Sequence, residues 1–280
     1  MSIKLIAFDL DGTFLTTEKH IPAENMAAIE LAASKGAVIV PASGRIFPGL
    51  PKELREAPYI RYYICGNGAS IYDKYEDRIL LEAEIPLELA VSFTEYMESL
   101  HVAFDSYMDN DGFINAEFYD TLDQWIFDPV MCAYAKSIRH SVRDLKELII
   151  ERGRSVQKLQ LYFKDLNERD RQIALIPKLF PELIGTSSIA NNIEVNSRLA
   201  TKGQALSRLC EELNISPTDT LAFGDGTNDA DMLAFAGVGA AMTNAHPSLL
   251  EKADVIAPTN DECGVAAVIR ELICSNPIGL

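Results

Sequence analysis

Asp9 and Asp11 stand two residues apart in the run Asp9-Leu10-Asp11-Gly12-Thr13, directly after the apolar stretch 4–8. Carboxylates so spaced suit a division of labour. One can attack phosphorus and hold a metal ion, while the other protonates a leaving group and later activates water. Gly12 permits the tight turn that must follow. A helix cap or Asx turn with surface acids uses the same residues. A calcium loop does not fit, because its acidic spacing and terminal Glu are missing.

Three other places carry complementary chemistry. Ser43-Gly44-Arg45 offers a hydroxyl and a flexible backbone N–H, which together can hold a phosphoryl oxygen. A plain strand-to-helix turn is the alternative there. Lys202 opens a helical pattern, where its charge opposes the helix dipole. Neutralising a phosphoryl oxygen would explain it; a solvated surface lysine is the other reading. Gly224-Asp225-Gly226-Thr227-Asn228-Asp229 supplies carboxylates for a hard-oxygen Mg2+ site. Asp225 would complete that site, and Asp229 would bind the ion or orient a ligand water. Asn228 would hydrogen-bond the phosphate or the ligands' own partners. A Gly-rich turn with an Asp cap before a helix uses the same residues. Together the four places supply a nucleophile, an acid/base, a metal site and a phosphoryl clamp. Phosphoryl transfer needs those parts, since its catalysis is mostly positioning and charge stabilisation.

Such groups converge only if each sits at the same end of its strand. In residues 1–84, the short apolar runs 4–8, 37–40 and 62–65 alternate with helical patterns. Residues 191–280 repeat that grammar: helix 203–213, strand 220–223, helix 230–236, strand 238–242, helix 247–253, strand 255–257, helix 265–272. Apolar runs separated by helices predict a doubly wound parallel α/β sheet, whose ligands bind at the carboxyl ends of the strands. Residues 85–190 read as an inserted α+β domain. There, 87–100 is helical, and 102–107 with 113–116 flank Asp109-Asn110-Asp111-Gly112, read as an Asp-Gly hairpin. Helices are expected around 119–137, 142–152 and 168–180, with a strand at 158–163.

The composition excludes several partners. Acidic residues outnumber basic ones 41 to 25, for a net charge of -16, so nucleic acid and anionic membrane surfaces are not expected partners. The same field opposes a phosphorylated substrate, which therefore needs local positive charge. No apolar stretch approaches the about 20 residues of a membrane span, and the N-terminal residues do not read as a signal peptide. The five cysteines form no C-x-x-C pair and are expected to be free thiols in a reducing, cytoplasmic setting. His20, His101, His140 and His246 lack metal spacing and are read as surface residues. Trp125, Phe127 and Tyr134 are read as helix core. Arg45 is read as reaching the substrate or pairing with a surface acid.

Taken together, the motifs resemble those of the haloacid dehalogenase superfamily, and more narrowly the Cof-type phosphatases. The resemblance covers nearly the whole chain, including Gly66-Asn67-Gly68-Ala69 and Ala241-Met242-Thr243-Asn244-Ala245. It implies a large α/β cap between the second and third motifs, which chooses the substrate. It implies that Asp9 is the nucleophile and Asp11 the acid/base, with the Asp11 backbone carbonyl on Mg2+. It matches Ser43 to the second-motif hydroxyl, Lys202 to the third-motif lysine, and Asp225 with Asp229 to the acidic fourth motif. The expected phosphate-binding residues are Leu10, Ser43, Gly44, Lys202 and Asn228; the expected metal residues are Asp9, Asp11, Asp225 and Asp229. The chain departs from the family pattern in carrying Thr243 where Gly is usual and Ser43 where Thr is common. A carboxylate at Asp11 disfavours an ATPase. Expected is a Mg2+-dependent phosphatase of small metabolites, in the cleft between core and cap, with a phosphomutase, a phosphotransferase or a non-catalytic binding module as alternatives.

Overall fold

The computed structural model describes residues 3–187 and 189–275. The chain divides into two compact units, one of residues 1–44, 50–81 and 201–280, the other of residues 45–49 and 82–200.

The first unit is built on five parallel strands in the order Val255–Ala257, Val238–Met242, Thr220–Gly224, Leu5–Phe8, Val38–Pro41. Each is a run of three to five mostly apolar residues, the pattern of strands covered on both faces. Side chains alternate along a strand. Leu5 and Ala7 pack with Leu206, Leu209 and Met232, while Phe8 points the other way and stacks on Phe14, ring centroids 4.2 Å apart. Register fixes the level of the strand ends. Phe8 lies opposite both Phe223 and Pro41, so the residues that follow these three strands emerge together.

The run Tyr62–Cys65 differs from the sequence reading. It pairs antiparallel with Ser70–Asp73, which pairs with Arg78–Glu82, and only Ile64 bridges in parallel to Ala42. The short turn through Gly66–Gly68 folds the chain back at once, and no α-helix intervenes to force a parallel return.

The second unit holds a six-stranded sheet in the order Leu183–Thr186, Asn192–Ser197, Lys158–Tyr162, Ala103–Met108, Asp111–Asn115, Arg139–Val142. All its pairings are antiparallel except the last. Helices Leu87–Ser99 and Leu166–Leu179 contribute Phe93, Met97 and Ile176 to a core with Leu159, Leu161 and Val195. Asn192–Ser197 belongs here because it pairs with Lys158–Tyr162; the chain re-enters the first unit at Thr201, later than the sequence boundary of 191. The hairpin loop is Asp109-Asn110, both at positive φ (52° and 64°), with Asp111 and Gly112 already in the strand. Asn and Asp tolerate that conformation, so a two-residue turn forms without Gly at its tip. Phe127 is 59% exposed and is not core.

No helix among the described residues is long and apolar enough to cross a membrane. Cys65, Cys132, Cys210 and Cys263 are free thiols, and the side chain of Cys274 lies outside the described residues. Burial pushes the Cys65 thiol up to about 12 and Cys210 up to about 11, which keeps both unreactive.

Candidate active site

Asp9 follows the Leu5–Phe8 strand, and its N–H continues the ladder to the Phe223 carbonyl at 3.0 Å. Its carboxylate is buried. Asp225 follows the neighbouring strand at the same level, and Ser43 follows Val38–Pro41 on the other side. Three turns thus meet at the carboxyl edge of the sheet. Gly12, at φ +85°, passes so close to Asp225 that a Cβ there would collide with its carboxylate. Thr13 Oγ1 donates to Asp225 Oδ1 at 2.6 Å.

Lys202 is the first residue of the helix Lys202–Leu213, capped by Thr201, whose hydroxyl accepts the Gln204 N–H at 3.2 Å. Ala205, Leu206, Leu209 and Cys210 bury one face of that helix and hold its start at the sheet edge. The Gly66–Gly68 turn sits against this start: Gly68, at φ +98°, leaves no space for a Cβ beside the Thr201 carbonyl. The Lys202 ammonium is fully buried. It donates to Asp9 Oδ1 and, at 2.6 Å, to Asp229 Oδ1. Burial alone would lower it, but Asp229 and Asp9 hold it well above the usual lysine range. A buried cation between two acids is what overrides the unfavourable dipole at this helix start.

Asp229 uses its other oxygen to accept the N–H groups of Asp225 at 3.0 Å and Gly226 at 2.9 Å. Both its oxygens are therefore engaged. Asn228 donates to Asn67 Oδ1 at 3.2 Å, and the Asn67 N–H donates to the Ser43 carbonyl at 3.0 Å. This chain links the second-motif turn to the Asp225 turn through Asn67, held at φ 59°. Leu10 is buried, and its carbonyl accepts the N–H groups of Thr13, Phe14 and Leu15. Gly44 lies beside Ser43, half-buried. The Asp11 carboxylate is partly exposed and pairs with Lys19 Nζ at 2.9 Å.

Carboxylate oxygens of Asp9, Asp225 and Asp229 lie within 4.8 Å of one another. Burial raises the Asp9 carboxyl well above its usual range. Lys202 opposes that rise, and Asp229, Asp225 and Asp11 add to it. Burial likewise pushes Asp225 up to about 6, with the Thr13 hydrogen bond opposing. One ammonium thus faces three clustered carboxylates, and the excess negative charge is paid for by raised proton affinity. A divalent cation with a preference for hard oxygen ligands fits this donor set and charge.

Of the sequence candidates, Asp9, Lys202, Asp225 and Asp229 come into one cluster; Ser43 and Asn228 are joined to each other through Asn67. Arg45 lies in the second unit, its guanidinium 4.7 Å from the Tyr134 ring centroid and donating to the Gly49 carbonyl. His246 Nδ1 caps a short helix by accepting the Ser248 N–H. Sequence reasoning gave no role to Thr13, Lys19 or Asn244. Thr13 was legible as the hydroxyl closing the first motif. Asn244 stood in the run 241–245 that carries the resemblance, and Lys19 carries no local signal. Thr243, where Gly is usual, keeps an ordinary negative φ, and its hydroxyl donates to the Ala257 carbonyl at 2.7 Å.

The family model for haloacid dehalogenase-like hydrolases matches residues 6–269. Phosphatase YwpJ of Bacillus subtilis is 30% identical, with 97% of this chain and 100% of the relative covered. The 5-amino-6-(5-phospho-D-ribitylamino)uracil phosphatase YcsE of Bacillus subtilis is 27% identical over 98% and 97%. A solved haloacid dehalogenase-like hydrolase from B. subtilis superposes with a TM-score of 0.83 at 28% identity, covering 96% of this chain and all of the other.

Proposed function

Because the chain belongs to the haloacid dehalogenase-like hydrolases and is a phosphatase of their Cof type, we propose that it hydrolyses small phosphorylated metabolites with Mg2+ through an aspartyl-phosphate on Asp9. Sugar phosphates and phosphorylated cofactors are the substrate classes. The observation that carries this reading is the buried Lys202 ammonium shared by Asp9 and Asp229, with Asp225 beside them.

In the first step an Asp9 oxygen attacks phosphorus as the ester P–O bond breaks, and Asp11 gives its proton to the departing oxygen. In the second, water attacks the same phosphorus and passes a proton to Asp11. The Asp9–phosphorus bond breaks and inorganic phosphate leaves. The Asp11 carboxylate is partly exposed, which suits a group that exchanges protons with a leaving group and with water. Ser43, Gly44, Asn228, Lys202 and the Leu10 backbone hold the non-reacting phosphoryl oxygens. Asp9, Asp225 and the Asp11 carbonyl would hold Mg2+, and Asp229, its oxygens already engaged, would orient them. When bound, Mg2+ offsets the repulsion between Asp9 and the phosphate dianion. Choice among leaving groups falls to the inserted residues, as the resemblance implies. Free cysteines suit a reducing cytoplasm.

The test is phosphate release across a panel of phosphorylated metabolites, with Mg2+ and with EDTA, for the native chain and Asp9→Asn. The panel includes 5-amino-6-(5-phospho-D-ribitylamino)uracil, the compound named for YcsE. Release that needs the metal and disappears in Asp9→Asn is expected. Release by Asp9→Asn at the native rate, or undiminished release in EDTA, overturns the mechanism. No release on any compound overturns the substrate class.

A further inference from the structure

The loop that leaves Asp9 has three of its carbonyls held by asparagine side chains. Asn244 Nδ2 donates to the Gly12 carbonyl at 2.8 Å, Asn25 Nδ2 to Phe14 at 3.0 Å and Asn260 Nδ2 to Leu15 at 2.9 Å. An asparagine amide donates from one end and accepts at the other, and two of these use both ends. Asn244 Oδ1 accepts the Asn260 N–H at 3.1 Å, and Asn25 Oδ1 accepts the Ala266 N–H at 3.1 Å. Asn25 and Asn260 are buried; Asn244 is exposed.

An exposed side chain that bridges two backbone segments adds little to a core, so its place invites another explanation. Asn244 grips the residue next to Asp11. The Asp9 N–H anchors one side of the turn on Phe223, and Asn244 anchors the other at Gly12. Only Leu10 and Asp11 lie between. Gly12, at φ +85°, has the widest backbone freedom of any residue. Freed from Asn244, the Gly12–Thr13 peptide would keep only the 3.3 Å bond from the Thr13 N–H to the Leu10 carbonyl, and rotation about Gly12 would then shift Asp11 on its other side.

We infer that Asn244 is a positioning residue, which holds the Asp11 carboxyl in line with the leaving oxygen by fixing the Gly12 carbonyl. The inference rests on the assignment of Asp11 as the acid, so its test must separate the two.

Phenyl phosphate and p-nitrophenyl phosphate have nearly the same shape, but only the first expels an oxygen basic enough to need a proton as it leaves. kcat/KM reports the steps up to that departure. Asn244→Ala is expected to lower kcat/KM for phenyl phosphate by about tenfold or more, and distinctly less for p-nitrophenyl phosphate. Asn244→Asp keeps the acceptor end and loses the donor to Gly12, so it should behave like Asn244→Ala. Asn244→Asp keeps the acceptor for the Asn260 N–H, so its thermal midpoint should stay close to native. Asp11→Asn, run alongside, should discriminate between the esters at least as strongly. Equal losses on both esters for Asn244→Ala, or no loss, while Asp11→Asn still discriminates, overturns the role of Asn244 and leaves the acid in place. An Asp11→Asn variant that loses both esters equally overturns the acid assignment and the inference with it.

Discussion

Lys202 neutralises Asp9 and Asp229 at once, and nothing of similar size could replace it without leaving two buried acids unpaired. Replacing it with Met should lower stability by about 3–5 kcal/mol, the usual outcome of removing one partner from a buried ion pair. Activity should fall by at least about a hundredfold, as for loss of one preorganised group facing developing charge. Denaturant titration and steady-state kinetics check the two effects separately. The raised carboxyls give a second prediction with a definite sign. A folded-state carboxyl above its unfolded value stabilises the fold only while it stays protonated, so metal-free protein should lose stability as pH rises from the ordinary carboxylate range through about 6, the position of Asp225. The slope is at most about 1.4 kcal/mol per pH unit for each proton released. Mg2+ should restore the loss, so the shift in thermal midpoint on adding Mg2+ should be larger at pH 7.5 than at pH 5. A metal-induced shift that shrinks with rising pH would contradict the cluster as its site. The burial of Lys202 itself was not legible from its neighbours in sequence, because its partners lie 193 and 27 residues away.

At the scale of elements, the turn Gly66–Gly68 acts as a buttress for the helix that carries Lys202. Gly68→Ala forces a side chain into a left-handed backbone and into the Thr201 carbonyl. It should cost about 1–3 kcal/mol, and its loss of kcat should exceed what that destabilisation explains, because the Lys202 helix start must move. Calorimetry and kinetics on one preparation decide between a local shift and simple unfolding. The parallel strands were readable because each is a short, mostly apolar run. Asn192–Ser197 was not. Its Glu194 and Asn196 are buried polar residues whose partners come from elsewhere: Glu194 meets Lys158 at 3.2 Å, and Asn196 Nδ2 donates to the Gln157 carbonyl. Local pattern shows only that such residues are polar. Arg139–Val142 was hidden for the same reason, with Arg139 buried against Asp105 at 2.7 Å.

Across the whole molecule, the net charge of -16 sets a field against every phosphorylated substrate. Salt screens such a field over roughly a Debye length. With the metal saturating throughout, kcat/KM for a dianionic substrate should therefore rise by about twofold or more between roughly 10 and 150 mM salt. A fall over that range would mean that net attraction guides the encounter. The topology has another consequence. Leu5–Phe8 lies between Val38–Pro41 and Thr220–Gly224 in the sheet. As the chain leaves the ribosome, the first neighbour follows within a few dozen residues and the second only after the 82–200 stretch has been made. Those intervening residues pair largely among themselves and can fold while synthesis continues. Asp9 must wait with one edge of its strand open until Thr220–Gly224 arrives, so catalytic competence comes late in the life of each new chain.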